Sequence, residues 1–259
     1  MEGYAAQALL MSLMAGMSTM VGALVILFAR KSAKVVTASL GFAAGIMIAV
    51  SLAELFPLAV EEMVPIHGKP VGTVMAVLFL LLGMLLSVVL DRFVPEPKMS
   101  PTQMEQNGGN ASLFHAGFVS MLALSLHNFP EGMATFIAGY ENLSLGITIA
   151  LAIAFHNIPE GIAVALPVYY STGSRKKAVW YTFVSGISEP IGALLACVLL
   201  QPFLTGGVVG ALFALVAGIM VYIAIEELLP SSRQYGYDNW ALFSTMAGVC
   251  LMPLTKMFG

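Results

Sequence analysis

Charge is what this chain has least of. Only 10% of its 259 residues are Asp, Glu, Lys or Arg, against about 25% in a soluble domain, so a water-solvated surface is excluded. Lys and Arg number 11 against 14 Asp and Glu. That leaves no basic patch to neutralise phosphates, and nucleic acid is excluded as a partner. Cysteine is nearly missing too. Cys197 and Cys250 both sit in apolar runs, so there is neither a disulfide framework nor a paired-cysteine metal motif. No phosphate-binding loop is present; the Gly-rich stretches at 41–45 and 205–210 read as helix packing. What fills the sequence instead is apolar, at 59% hydrophobic residues and a mean hydropathy of +0.90. The class implied is an all-α integral membrane protein, with the lipid bilayer as its first partner.

A helix needs about 20 apolar residues to cross the hydrocarbon core. Eight such runs are present, at about 4–29, 36–59, 71–93, 113–139, 145–170, 178–202, 206–229 and 239–258. They make residues 1–259 a single transmembrane domain. The N-terminal MEGYAAQALL has no basic segment and no clear cleavage site, so the first run is expected to be a retained span. Short polar turns separate most runs. The exception, 94–112, is rich in Pro, Gly and Gln and predicts a flexible loop. Lys and Arg favour cytoplasmic loops. Arg30, Lys31, Lys34, Arg92, Lys98, Arg175, Lys176, Lys177 and Arg233 fall on one side, and only Lys69 and Lys256 on the other. The expectation is that both termini lie outside the cytoplasm and loop 94–112 inside it.

The sequence repeats itself twice. SLHNFPEGMA in span 4 (from Ser125) and AFHNIPEGIA in span 5 (from Ala154) share HN, PEG and the final Ala. Span 2 holds Ala44-Gly45-Ile46-Met47, then Glu54-Leu55-Phe56-Pro57. Span 7 holds Ala217-Gly218-Ile219-Met220, then Glu227-Leu228-Leu229-Pro230. Members of each pair cross the membrane in opposite senses. This predicts inverted halves, with spans 1–3 resembling 6–8 and spans 4–5 between them, an arrangement typical of secondary transporters with a site near the midplane.

Polar residues stand where lipid penalises them. An ionisable group at mid-membrane costs at least about 2.5–3.5 kcal/mol unless it faces a partner or a cavity. His127, Asn128 and Glu131 share one face of span 4, and His156, Asn157 and Glu160 repeat the pattern on span 5. If the faces oppose, imidazoles, amides and carboxylates meet in one pocket, a donor set suited to zinc and other first-row divalents. Pro130 and Pro159 are expected to kink these helices, and Gly132 and Gly161 to permit close approach. Glu189, in SGISEP, adds a third carboxylate, and two divalent ions would offset the three. Glu54 near one end of span 2, and Glu226 and Glu227 near the opposite end of span 7, read equally as an entrance and exit for cations or as interfacial carboxylates. Met47 offers a thioether to a soft metal, although packing is the ordinary role of Met. His67 and His115 read as loop and span-end residues.

HNFPEG at 127–132, HNIPEGIAVALP at 156–167, SLGFAAGIM at 39–47, SGISEP at 185–190 and GIMVYIAIEELLP at 218–230 resemble the ZIP (Zrt/Irt-like protein) family of divalent-metal transporters, most closely its bacterial ZupT-like branch. The resemblance implies eight transmembrane helices in a 3+2+3 inverted-repeat arrangement and a binuclear centre. His127, Glu131, His156 and Glu160 would form one site. Asn128, Glu131, Asn157, Glu160 and Glu189 would form the other. It also implies uptake toward the cytoplasm across a bacterial inner membrane. Many members carry a His-rich loop between helices 3 and 4, whereas 94–112 has no His.

The resulting expectation is a secondary carrier for Zn²⁺ and for Fe²⁺, Mn²⁺, Co²⁺ or Cd²⁺, with no other cofactor. An intramembrane dimetal enzyme and a selective divalent-cation channel are the alternatives. HExxH and repeated HxxxH boxes are missing, which counts against the enzyme. A homodimer is left open.

Overall fold

In lipid every backbone N–H and C=O must find a partner within the protein, and long apolar runs therefore fold as helices. A computed structural model of the chain describes residues 4–28, 32–92, 110–200 and 205–255. Among them there is helix and turn but no strand. The elements are α1 (Ala5–Phe28), α2 (Ala33–Val50), α3 (Phe56–His67), α4 (Lys69–Asp91), α5 (Asn110–Glu141), α6 (Leu143–Thr172), α7 (Arg175–Leu195), α8 (Gly206–Ile223), α9 (Leu229–Arg233) and α10 (Asp238–Thr255).

Among the described residues, six helices are long and apolar enough to cross a membrane: Ala5–Leu24, Ala33–His67, Lys69–Val89, Leu143–Leu166, Arg175–Leu199 and Gly206–Arg233. The helices at the fourth and eighth expected spans are not among the six. Ser, His, Asn and Glu interrupt the apolar stretch of α5, and α10 opens on Asp238-Asn239. Most of loop 94–112 lies outside the described residues, but α5 starts at Asn110, inside its expected range.

The prolines within the spans differ in the backbone around them. α-Helix runs continuously through Pro130 and Pro159. The change comes instead ahead of Pro57 and Pro230. There α2 passes into α3 through a π turn at Ser51–Leu55, and α8 into α9 through one at Ala224–Leu228. A proline ring clashes with the carbonyl four residues back; a wider turn relieves that clash, and such turns recur at functional sites. The turns ahead of Pro57 and Pro230 both stand six residues after the glycine of the repeated Ala-Gly-Ile-Met, and a third π turn, Ala196–Leu200, follows α7 two residues before Pro202.

Tight turns hold successive helices side by side. Asn142 Oδ1 accepts from the Leu145 N–H at 3.2 Å to start α6, and Gly173, at φ +66°, ends it in the left-handed region. Ser174 Oγ then accepts from the Lys177 N–H at 3.3 Å to start α7.

The helices pack in two groups. α1, α5, α6 and α7 contact one another; α2 lies on α10, and α3 and α4 lie on α8. The groups meet chiefly where α2 crosses α6. Backbone touches backbone within each group at paired glycines. A Cβ on Gly161 would overlap the Thr19 carbonyl, and one on Gly22 the Ile158 carbonyl. The same holds between Gly132 and Glu189, Gly192 and Phe129, Gly83 and Leu215, Gly218 and Leu80, Gly45 and Thr245, and Gly248 and Phe42. Small residues drive such packing in lipid, where apolar burial alone gives no preference for protein over acyl chain. The outer flank of α4 shows the other side of that rule, with Val74, Leu78, Leu82 and Leu85 exposed.

Gly83→Ala therefore pushes two helix backbones apart. The expected cost is about 1–3 kcal/mol, read as a lowered unfolding midpoint in detergent. Lipid-facing Leu82→Ala should stay within about 0.5 kcal/mol of the parent protein. Equal midpoints for the two variants would contradict this packing.

Candidate metal centre

The i, i+3, i+4 faces of α5 and α6 are turned into the first helix group. Asn128, Glu131, His156, Asn157, Glu160 and Glu189 are all 0% exposed, so none can use water or lipid headgroups as a partner. His156 Nε2 lies 3.2 Å from Glu131 Oε2, an imidazole–carboxylate pair joining α6 to α5. Asn157 Nδ2 donates to Glu189 Oε2 at 2.7 Å and to the Ala15 carbonyl at 3.0 Å, joining α6 to α7 and α1. Asn128 Nδ2 donates to the Ser185 carbonyl at 3.2 Å, joining α5 to α7. The carboxylates of Glu131 and Glu160 are electrostatic neighbours of Glu189, so the three acids belong to one region.

These bonds decide which atoms remain. Asn157 gives both of its N–H groups to protein acceptors, and Asn128 gives one. Asn128 Oδ1, Asn157 Oδ1, Glu131 Oε1 and Glu189 Oε1 are buried without a hydrogen-bond partner. Unsatisfied buried acceptors are rare in folded proteins. Here they gather as amide and carboxylate oxygens beside an imidazole, a set complementary to a divalent cation of zinc type. Among the described residues, His, Cys, Asp and Glu alone do not supply a group of three set to hold one ion; the amide oxygens are additional donors. His127 precedes Asn128 on α5, and its side chain lies outside those described.

The expected pathway residues stand on the second group. Met47 is fully buried on α2. Glu54 is half-buried within the first π turn, while Glu226 is exposed and Glu227 half-buried within the second. The first turn packs against α8 and the second against α2. His67 is exposed at the end of α3, the side chain of His115 is outside those described, and Cys197 and Cys250 are free thiols. At the end of α5, Glu141 has its carboxyl pushed up to about 7 by partial burial, then by the neighbouring Glu62 carboxylate.

Sequence reasoning missed the two carbonyls that orient the asparagines. Ala15 and Ser185 each lie one residue before a Gly-x-Ser-x-x-x-Gly segment, at 16–22 and 186–192. That repeat was the available signal.

Comparisons with known proteins give the family. The family model described as ZIP Zinc transporter matches residues 94–256. The chain is 41% identical over 254 residues to the zinc transporter ZupT of Streptococcus mutans, covering 96% of each chain. It is 41% identical over 271 residues to the zinc transporter ZupT of Clostridium perfringens, covering 96% of this chain and 95% of that one. Against the ZupT of Chlorobium chlorochromatii it is 42% identical over 255 residues, covering 95% of each. Near-full-length matches of this kind, on a helical membrane protein with a buried carboxylate, amide and imidazole cluster, lead to one conclusion: the chain belongs to the ZIP family of transporters.

Proposed function

We propose that this chain is a secondary transporter that carries Zn²⁺ into the cytoplasm, and that Fe²⁺, Mn²⁺, Co²⁺ and Cd²⁺ can occupy the same site. The observation that carries this reading is the buried cluster itself. The His156–Glu131 pair at 3.2 Å and the Asn157–Glu189 bond at 2.7 Å leave amide and carboxylate oxygens without donors, deep among apolar helices. The zinc transporters named among its relatives support zinc as the cargo.

The site holds two ions. His127, Glu131, His156 and Glu160 hold one; Asn128, Glu131, Asn157, Glu160 and Glu189 hold the other, with Glu131 and Glu160 bridging. Three carboxylates in a low-dielectric site repel one another strongly unless cations or protons offset them, so metal entry and carboxylate charge are coupled. All of these residues sit on α5, α6 and α7, within one helix group. Met47, Glu54, Glu226 and Glu227 belong to the other group and line the way in and out. Relative movement of the two groups would then expose the ions to one side at a time. A carrier works in this way, whereas a channel needs a continuous pore. Family membership sets aside the dimetal-enzyme alternative.

The arrangement is read as eight spans in a 3+2+3 inverted repeat. Its support is in paired contacts: Gly161 against Thr19 mirrors Gly132 against Glu189, and Gly45 against Thr245 mirrors Gly218 against Leu80. The π turns ahead of Pro57 and Pro230 correspond in the same way. The Lys and Arg distribution puts both termini outside the cytoplasm, and the bacterial inner membrane is the expected location.

In proteoliposomes, Glu131→Ala and Glu160→Ala should each lower zinc uptake by at least about tenfold, the loss expected when a metal ligand's contribution is removed. Near-parental flux in both would refute the site. Uptake by the parent protein should saturate and be inhibited by Cd²⁺ and Mn²⁺; large unitary currents would favour the channel instead. An N-terminal epitope should be reachable by antibody in intact spheroplasts, and exclusive labelling after permeabilisation would reverse the orientation.

A further inference from the structure

Helix α1 touches the centre only through the Ala15 carbonyl in the description above, yet it is built as a second copy of the α7 segment that carries Glu189. Gly16-Met17-Ser18-Thr19-Met20-Val21-Gly22 matches Gly186-Ile187-Ser188-Glu189-Pro190-Ile191-Gly192 in its two glycines and its serine. The match is physical as well as alphabetical. Ser18 Oγ donates to the Ala15 carbonyl at 2.6 Å, and Ser188 Oγ to the Ser185 carbonyl at 2.6 Å. Those same two carbonyls receive the side-chain amides of Asn157 and Asn128. The Thr19 carbonyl is what a Cβ on Gly161 would strike, and the Glu189 carbonyl is what a Cβ on Gly132 would strike. A Cβ on Gly186 would lie 3.2 Å from Thr19 Cβ, and one on Gly16 would lie 3.0 Å from Glu189 Cβ. Thr19 thus occupies on α1 the place that Glu189 occupies on α7.

Glu189 uses its place to meet Asn157. The corresponding partner for Thr19 is Asn128. Thr19 is 0% exposed, and its Oγ1 has no hydrogen-bond partner. Helical threonines commonly give their hydroxyl to the carbonyl one turn back, as Thr135 does to Glu131 at 2.9 Å and Thr182 to Ala178 at 2.9 Å. For Thr19 that carbonyl is Ala15, which already accepts from Ser18 and Asn157. The hydroxyl therefore stays available. It reaches less far than a glutamate, by a methylene and a carboxyl carbon.

We propose that Thr19 is a further residue of the metal centre, hydrogen-bonding through its hydroxyl to a water carried, on the Asn128 side, by the ion that Asn128 and Asn157 share. The two halves of the centre are then alike in backbone and unlike in charge. The Asn157 half presents the Glu189 carboxylate; the Asn128 half presents a neutral hydroxyl and leaves that flank of the shared ion hydrated. This rests on the reading of the His156–Glu131 cluster as the metal site.

The test uses the purified full-length protein, with zinc titrated calorimetrically and zinc uptake followed in proteoliposomes. Thr19→Val keeps the shape and removes the hydroxyl. It should weaken apparent zinc affinity and raise KM about fivefold, the scale of one lost hydrogen bond, while Thr19→Ser restores both. Thr19→Glu makes the halves equivalent and should lower KM and kcat together, because a second carboxylate retains the ion. Valine and glutamate variants that fold and match the parent in affinity, KM and kcat would overturn the assignment. If the glutamate variant does not fold, the valine and serine pair decides by the same criterion. The reading beneath it fails differently: the parent protein would then bind no zinc, or bind it unchanged after Glu131→Ala, and Thr19 would fall with it.

Discussion

Asn157 gives both of its N–H bonds away. One goes to a backbone carbonyl of α1 and the other to the Glu189 carboxylate of α7. Within a bilayer no water replaces a missing partner, so a buried amide must be satisfied by the protein or by what the protein binds. That constraint fixes the amide's orientation and leaves its oxygen facing the remaining acceptors. Asn128 is held in the same way by the Ser185 carbonyl. These two orientations keep amide oxygens, not amide donors, free in the cluster; a flipped amide would present donors instead.

The centre can be assembled only if the helices approach closely enough for backbone carbonyls to serve as side-chain acceptors. Glycine makes this possible. Where Gly161 meets Thr19 and Gly132 meets Glu189, no side chain separates the helices. The same device welds α2 to α10 and α4 to α8. Close contact of this kind operates inside each helix group, and the groups meet chiefly where α2 crosses α6. The cluster residues thus belong to one packed unit, and the carboxylates of the turns at 51–55 and 224–228 to the other.

Symmetry of the backbone coexists with asymmetry of the chemistry. The Gly-x-Ser-x-x-x-Gly segments of α1 and α7 place their serines and glycines alike, but one carries Thr19 where the other carries Glu189. A fully symmetric centre would hold a fourth carboxylate, adding repulsion when empty and retention when filled. A neutral hydroxyl at one of the two places limits that repulsion.

Composition alone placed this chain in the membrane, since charge is too scarce to solvate a surface. Helical periodicity alone set His127, Asn128 and Glu131 on one face and His156, Asn157 and Glu160 on another, because spacing along a helix fixes which side chains point together. Spacing within a helix says nothing about which neighbour that face meets. The pairing of His156 with Glu131, the capture of Asn157 by α1, and the equivalence of Thr19 with Glu189 depend on contacts between segments far apart in the chain. The π turns escaped the sequence for a related reason. Every in-helix proline carries the same local clash, so the clash alone does not say that the backbone widens ahead of Pro57 and Pro230 and stays α-helical through Pro130 and Pro159.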